Sequence, residues 1–247
     1  MGPVAVLSPH LDDAVFSCWH VLVSARDVVV INVFTAIPPA GTKAPRWDRI
    51  TGADDPEARM RLRLEEDEAA LALAGRRPEN LGFVDSHYRD EPPSDILEAV
   101  LGRLSDGVAV IAPAAIGGHS DHELVRDVGL ALAAEGRDVW LYGDLPYSTA
   151  LGWPAWVTGE EGDPFLDVDA YWALHVPDGY EPRPVELSEE LQRTKLAAMR
   201  MYRSQFAAVE AGPQRRLTHP QLIRFEIFWK PHPTGESPSY TSPTAGL

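Results

Sequence analysis

Five short apolar runs punctuate the first 142 residues, and they constrain the fold more than any other feature. Val4-Ala5-Val6-Leu7, Val28 to Phe34, Leu81 to Val84, Val108 to Pro113 and Val139 to Tyr142 are rich in β-branched residues and apolar almost without break. A strand open to water on one face alternates apolar with polar residues, whereas one covered on both faces need not. Between the runs lie helix-like segments at about 13–24, 56–74, 94–104 and 121–134, with apolar residues such as Leu62, Ala69, Ala70 and Leu73 at helical spacing. Strand–helix alternation of this kind predicts an α/β fold: a single Rossmann-like doubly wound, mostly parallel sheet with helices on both faces. One domain over residues 1–230 is expected, with a Pro-, Ser-, Thr- and Gly-rich tail at 231–247 expected to be disordered. Two long irregular segments interrupt the pattern, 38–55 with Trp47 and 149–169 with Trp153 and Trp156. Loops of that length in such a domain usually carry function or move. A final helix is expected over 187–206, with Leu187-Ser188-Glu189-Glu190 as its capped start.

Charge and composition narrow the partners. Lys and Arg number 22 against 37 Asp and Glu, a formal net charge of −15. A chain that grips phosphate backbones or anionic lipid needs the opposite balance, so neither nucleic acid nor membrane is an expected partner. Disorder throughout is excluded by 45% hydrophobic residues, which are enough to form a core. The single cysteine, Cys18, has no internal partner and reads as a small core residue. The start of the chain lacks a basic leader, and no run approaches the roughly 20 apolar residues of a membrane span, so a cytoplasmic protein is expected.

Two strings carry the chemistry. Ser8-Pro9-His10-Leu11-Asp12-Asp13 follows the first expected strand, and Gly117-Gly118-His119-Ser120-Asp121-His122 follows the fourth. Ligand sites of open α/β sheets lie beyond the carboxyl ends of their strands, at the point where strand order reverses. Each string alone has a bland reading: Asp12 or Asp13 as a helix N-cap, and the second string as a capped helix start with surface imidazoles. Together at the switch point, His10, Asp13 and one or both of His119 and His122 would converge. Two histidines and a carboxylate are the donor set of a catalytic zinc ion with one open position.

These strings also resemble a known family. Ser8-Pro9-His10-Leu11-Asp12-Asp13-Ala14 and Gly118-His119-Ser120-Asp121-His122 are similar to the paired motifs of the PIG-L (LmbE-like) zinc N-deacetylases. Further likeness lies in Arg63-Leu64-Glu65-Glu66-Asp67, in Phe83 to Arg89, in Asp144-Leu145-Pro146-Tyr147, and in Lys195, Ala198, Tyr202, Ser204 and Gln205. The likeness covers roughly residues 4–147 and the helix near 200. Ala14 and Gly143 depart from it where the family often carries acids, which bears on substrate contacts rather than on the metal.

The resemblance implies hydrolysis of the N-acetyl group of an N-acetylglucosamine-type amino sugar, in antibiotic or glycoside-thiol biosynthesis. It implies one Zn2+ per chain held by His10, Asp13 and His122, with Asp12 as general base. A protonated His119, held by Asp121, would be the electrophilic partner, and Arg63 and Asp85 would contact sugar hydroxyls. The chemistry asks for these types independently: a metal to polarise an amide, a base for water, and a donor for the developing oxyanion. Bland readings stand beside the last two, an ion pair of Arg63 with Glu66 or Asp67 and a turn cap at Asp85. Glu65 to Glu68 reads as an ordinary solvated helix face. The loop tryptophans would stack on a sugar or bury themselves under their own loops. His87 is the one further histidine expected to approach the site, through the Asp85 loop.

Three rivals remain: a receiver-like regulatory domain, a catalytically silent metal- or sugar-binding member, and a two-metal phosphoesterase. The partner expected is a small N-acylated amino sugar, neutral or cationic given the acidic surface, with homo-oligomerisation left open.

Overall fold

A computed structural model describes residues 2–147, 152–160, 165–211 and 218–231. Its strands are β1 (Val4–Ser8), β2 (Val28–Asn32), β3 (Pro78–Asn80), β4 (Ala109–Pro113), β5 (Val139–Tyr142), β6 (Tyr180–Glu186) and β7 (Phe225–Pro231). The helices are α1 (Asp13–Ser17), α2 (Trp19–Leu22), α3 (Arg46–Ile50), α4 (Pro56–Ala72), α5 (Ile96–Leu101), α6 (Ser120–Ala134), α7 (Ala155–Thr158), α8 (Val168–Ala173), α9 (Glu189–Met199), α10 (Phe206–Glu210) and α11 (Pro220–Ile223). The sheet runs β3-β2-β1-β4-β5-β7-β6. Strands β1 to β5 are parallel, and β7 and β6 extend that sheet antiparallel.

Every residue of β1 is buried, as an unbroken apolar run demands. Val4 pairs with Val28 on one side and Ala109 on the other, so strand order reverses between β1 and β4. The order 3-2-1-4-5 is the Rossmann one and differs from the 2-1-3-4-5 order of receiver domains, which removes that rival. One core cluster draws on residues from Val4 to Trp229. Among the described residues no helix is long and apolar enough to cross a membrane.

Helix α6 lies close against β4 because Gly129 faces Ala112: a Cβ at Gly129 would sit 2.6 Å from Ala112 Cβ. Neither atom can swing away. Overpacking of this kind costs about 1–3 kcal/mol, against about 1 kcal/mol gained by replacing Gly with Ala inside a helix. Gly129→Ala is therefore expected to lower the urea midpoint. A raised midpoint would show that α6 lifts off the sheet at no cost.

Several expectations need correction. The third strand is Pro78–Asn80 rather than 81–84, because Gly82 at φ 79° breaks the extended run. The segment 81–84 still bonds to β2, through Leu81 N–H to Asn32 O and Phe83 N–H to Val33 O. The helix expected at 13–24 splits at Cys18, and the Glu226 carboxylate accepts from Trp19 and His20 N–H at the start of α2, at 2.8 and 2.9 Å. The helix expected at 187–206 ends at Met199.

The buried face of α4 is also not the apolar stripe. Leu62 and Leu73 are exposed, whereas Arg59, Met60, Arg63, Glu66, Asp67, Ala70 and Leu71 are covered. Glu66 accepts from Ser204 N–H and Oγ at 2.9 and 2.6 Å, so this acidic run is only half solvated. Strands β6 and β7 lie beyond the expected apolar runs; Pro182 and Pro184 argue against a strand in β6 and are tolerated because β6 is an edge. Segments 38–55 and 149–169 contain α3, α7 and the start of α8. Residues 149–151, 161–164 and the tail from 232 lie outside the described residues, and Pro231 belongs to β7.

Candidate metal centre

Both motif strings reach the same edge of the sheet. After β1 the chain turns at Ser8, whose Oγ donates to His10 O at 2.6 Å and accepts from Ala14 N–H at 3.0 Å. This turn swings His10 and Asp13 onto one side. Asp13, at the first turn of α1, accepts from His10 N–H at 2.8 Å. After β4, Ala115 takes a left-handed φ of 61° and Gly117 one of 99°, and His119 then caps α6. Gly117 leaves room for an aromatic neighbour: a Cβ there would lie 2.7 Å from Tyr147 Cβ. The Tyr147 ring consequently rests against His119 and His122, at centroid distances of 5.6 and 4.9 Å.

Asp13 Oδ2 stands 3.3 Å from His10 Nδ1 and 3.2 Å from His122 Nε2. Ligand atoms about 2.0–2.1 Å from a tetrahedral ion are themselves about 3.3 Å apart, so these spacings fit two edges of a zinc tetrahedron. His122 Nε2 is buried without a hydrogen-bond partner. Its other nitrogen, Nδ1, meets Asp144 Oδ1 at 2.6 Å, and Asp144 Oδ2 accepts from Ile116 N–H at 2.9 Å. The far nitrogen of His10 is held in the same manner, with Nε2 3.0 Å from Asp121 Oδ2. Each imidazole thus has its outer nitrogen on a buried carboxylate, which sets the tautomer and frees the inner nitrogen for a cation. Burial opposes charge on His122, yet Asp13 and Asp144 raise it to about 9.

Asp121 does not hold His119 as expected. Its carboxylate is engaged by His10, by Ser86 N–H at 3.0 Å and by Arg89, whose guanidinium also lies 4.6 Å above the Phe34 ring. Only the backbone of Asp121 meets His119, its N–H donating to His119 Nδ1 at 3.2 Å. That bond places the proton of a neutral His119 on Nε2. Burial and the neighbouring His10 and His122 lower His119 to about 4. The expected imidazolium is replaced by a neutral donor. Among the described residues, the trios whose ligand atoms all lie within 4.8 Å of one another are His10, His119 and His122, and His10, Asp85 and Asp121; with Nδ1 occupied, His119 offers an N–H rather than a lone pair.

Asp12 occupies the N-cap of α1 without capping any backbone N–H through its side chain. Burial and adjacent Asp13 raise its carboxyl to about 6, against the pull of His10 and Arg63. Arg63 is buried against Asp48, Nη2 to Oδ1 at 3.1 Å, rather than paired with Glu66 or Asp67. Asp48, from the 38–55 segment, also accepts from Tyr88 Oη at 2.6 Å. Asp85 caps the short turn 86–88, accepting from His87 N–H, while its Oδ1 also meets His87 Nδ1 at 2.8 Å. Its Oδ2 faces His10 Nε2 at 3.8 Å. His87 thereby comes alongside His119, ring centroids 6.1 Å apart.

Trp153 packs against Trp172 of α8 and Phe225 of β7 rather than under its own loop, and Trp156 is exposed. Trp47 donates to Gln205 Oε1 at 3.4 Å. Cys18 is buried. Asp144, Arg89, Asp48 and Tyr147 were not assigned roles from sequence. Asp144 and Tyr147 lie in a segment whose family likeness was the available signal, whereas Asp48 carried none.

The chain has relatives among known proteins. A family model described as GlcNAc-PI de-N-acetylase, PIG-L, matches residues 5–133. A 2′-N-acetylparomamine deacetylase of Streptomyces fradiae is 32% identical over 164 residues, covering 60% of this chain and 58% of that protein. The chain therefore spans less than two thirds of that relative's length. The crystal structure of the A40926 pseudoaglycone deacetylase superposes with a TM-score of 0.66 at 27% identity, covering 92% of this chain and 96% of its own. A deacetylase of the teicoplanin pathway has the same fold, with a TM-score of 0.69 at 23% identity over 93% of this chain and 97% of its own.

Proposed function

The chain belongs to the PIG-L, GlcNAc-PI de-N-acetylase, family, and on that premise we propose that it is a zinc-dependent hydrolase removing an N-acetyl group from an amino sugar. The observation that carries the proposal is the pair of imidazoles, His10 and His122, each backed by a carboxylate and each turning a nitrogen toward Asp13. Residues 1–230 form the deacetylase domain in this reading. His10, Asp13 and His122 would hold one zinc ion. Bound there, zinc supplies Lewis acidity that polarises an acyl oxygen and acidifies water.

This chain's own groups do the rest. Asp12 takes a proton from the attacking water and returns it to the nitrogen as the C–N bond breaks, yielding amine and carboxylate. His119 donates its Nε2–H to the acyl oxygen as negative charge gathers there, an interaction commonly worth about 3 kcal/mol. Asp121 and Asp144 orient the two histidines. Asp85 Oδ2 offers an acceptor for a sugar hydroxyl. Arg63 acts at one remove, its charge favouring the ionised form of Asp12.

The names of the relatives support a substrate class. One is a 2′-N-acetylparomamine deacetylase and another a deacetylase of the pseudoaglycone of the antimicrobial A40926, so an N-acetylated antibiotic glycoside is the favoured substrate. The surplus of acidic residues suits a cationic aminoglycoside over an anionic sugar. Amine release from 2′-N-acetylparomamine, N-acetylglucosamine and an N-acylated glycopeptide, with and without chelator, tests the proposal. Activity on at least one of them that chelation abolishes is expected. Inactivity on the whole panel by zinc-loaded protein would overturn it.

A pH dependence follows from Asp12. The base works only when ionised, so kcat/KM should rise with pH through about 6. A rate unchanged between pH 5 and 7 would assign the base elsewhere.

A further inference from the structure

Behind Asp12, a count of hydrogens fixes the state of a buried acid. Tyr202 Oη lies 2.7 Å from Asp67 Oδ1 and 3.0 Å from the carbonyl oxygen of Leu11. A phenol has one hydrogen, and a carbonyl oxygen can only accept. If Tyr202 gives its hydrogen to Leu11, the shorter contact needs a hydrogen from Asp67. If it gives it to Asp67, a buried carbonyl faces a lone pair. Asp67 Oδ2 already accepts from Asn32 Nδ2 at 2.7 Å, and that amide also donates to Asn80 Oδ1 at 3.1 Å. The proton therefore belongs on Asp67 Oδ1.

The surroundings agree. Asp67 is 1% exposed and, among the described residues, forms no ion pair. The groups facing it are neutral Tyr202 and Asn32, and the like-charged Asp12 and Asp13 from the β1–α1 turn. Burial, with those two carboxylates, pushes its carboxyl up to about 8.

We propose that Asp67 is a neutral carboxylic acid donating to Tyr202, which donates to Leu11 O, and that this relay positions the next residue, Asp12, for proton transfer. Asp67 and Tyr202 touch no substrate; they are positioning residues, and the proposal rests on the reading of Asp12 as the base. Loss of the Asp67 proton would draw the Tyr202 hydrogen to the carboxylate and release the Leu11 carbonyl. The same relay explains a buried acid on α4 that a solvated-helix reading left without a purpose.

Variants separate the relay from simple packing. Asp67→Asn supplies an N–H to Tyr202 and an oxygen to Asn32, reproducing the neutral acid, whereas Asp67→Ala and Tyr202→Phe break the chain. With 2′-N-acetylparomamine at pH 7, the Ala and Phe variants should lose on the order of tenfold to a hundredfold in kcat, with KM and bound zinc unchanged. Wild type is expected to lose kcat above about pH 8 as Asp67 ionises, and Asn should restore kcat and remove that loss. Independently of activity, infrared difference spectra of zinc-free protein at pH 7 should show a carboxylic-acid C=O band that Asp67→Asn lacks. Asn as impaired as Ala, Phe at wild-type kcat, or no such band would overturn the relay. Should Asp12→Asn keep its rate, the base assignment fails instead, and the infrared band still decides the Asp67 proton.

Discussion

Asp12→Asn is expected to retain zinc and fold normally, yet to lose turnover by a factor on the order of 10²–10⁴. The substitution keeps the size of the side chain and removes its charge and its ability to take up and release a proton. The Asp12 side chain caps no backbone N–H of α1, so helix stability does not depend on it. It also lifts a like charge from beside Asp13, whose carboxyl is held low chiefly by His122 and His10 against its burial. Metal analysis of the variant should read wild-type zinc, and its melting temperature should stay within a few degrees. Normal zinc with a wild-type rate would falsify the assignment.

His122→Ala should fail differently, by losing the metal and much of the stability together. In the metal-free protein His122 is protonated at neutral pH, wedged between the carboxylates of Asp13 and Asp144. Removing it strands Asp144, fully buried, with Ile116 N–H as its remaining partner among the described residues. Breaking a buried pair from one side costs about 3–5 kcal/mol. Zinc itself must displace the His122 proton, so affinity in wild type should rise with pH up to about 9. Asp144→Asn keeps the imidazole but weakens its support, and a loss of about 10–100-fold in zinc affinity is expected. Calorimetric zinc titrations check both. Stoichiometric, tight zinc in His122→Ala would move the donor set to His10, His119 and another group.

The parallel part of the sheet was legible because strands covered on both faces announce themselves as apolar runs. With strand order came the switch point, and with it the meeting of His10 and Asp13 with His119 and His122. What escaped notice depended on distant partners. Glu66 and Asp67 look like solvent-facing acids until Ser204, Tyr202 and Asn32 arrive to cover them. β6 carries two prolines that local rules weigh against a strand, and only its place at the sheet edge makes them harmless. The bond between Asp121 and His10 spans 111 residues, whereas sequence adjacency had pointed to His119. Periodicity reports which face of an element is dry. It does not report which charges have found company there.

The cap of α2 by Glu226 has a consequence in time rather than space. The carboxylate that closes the second turn after the metal-site loop lies 206 residues downstream of His20, and it is also the partner of buried Lys195 at 2.7 Å. During synthesis the first motif emerges well before Glu226, so the bonds that close α2 form only once β7 has left the ribosome. Contacts of such separation form late and slowly. The motif that appears earliest in the chain therefore belongs to a site that is among the last parts of the molecule to become rigid.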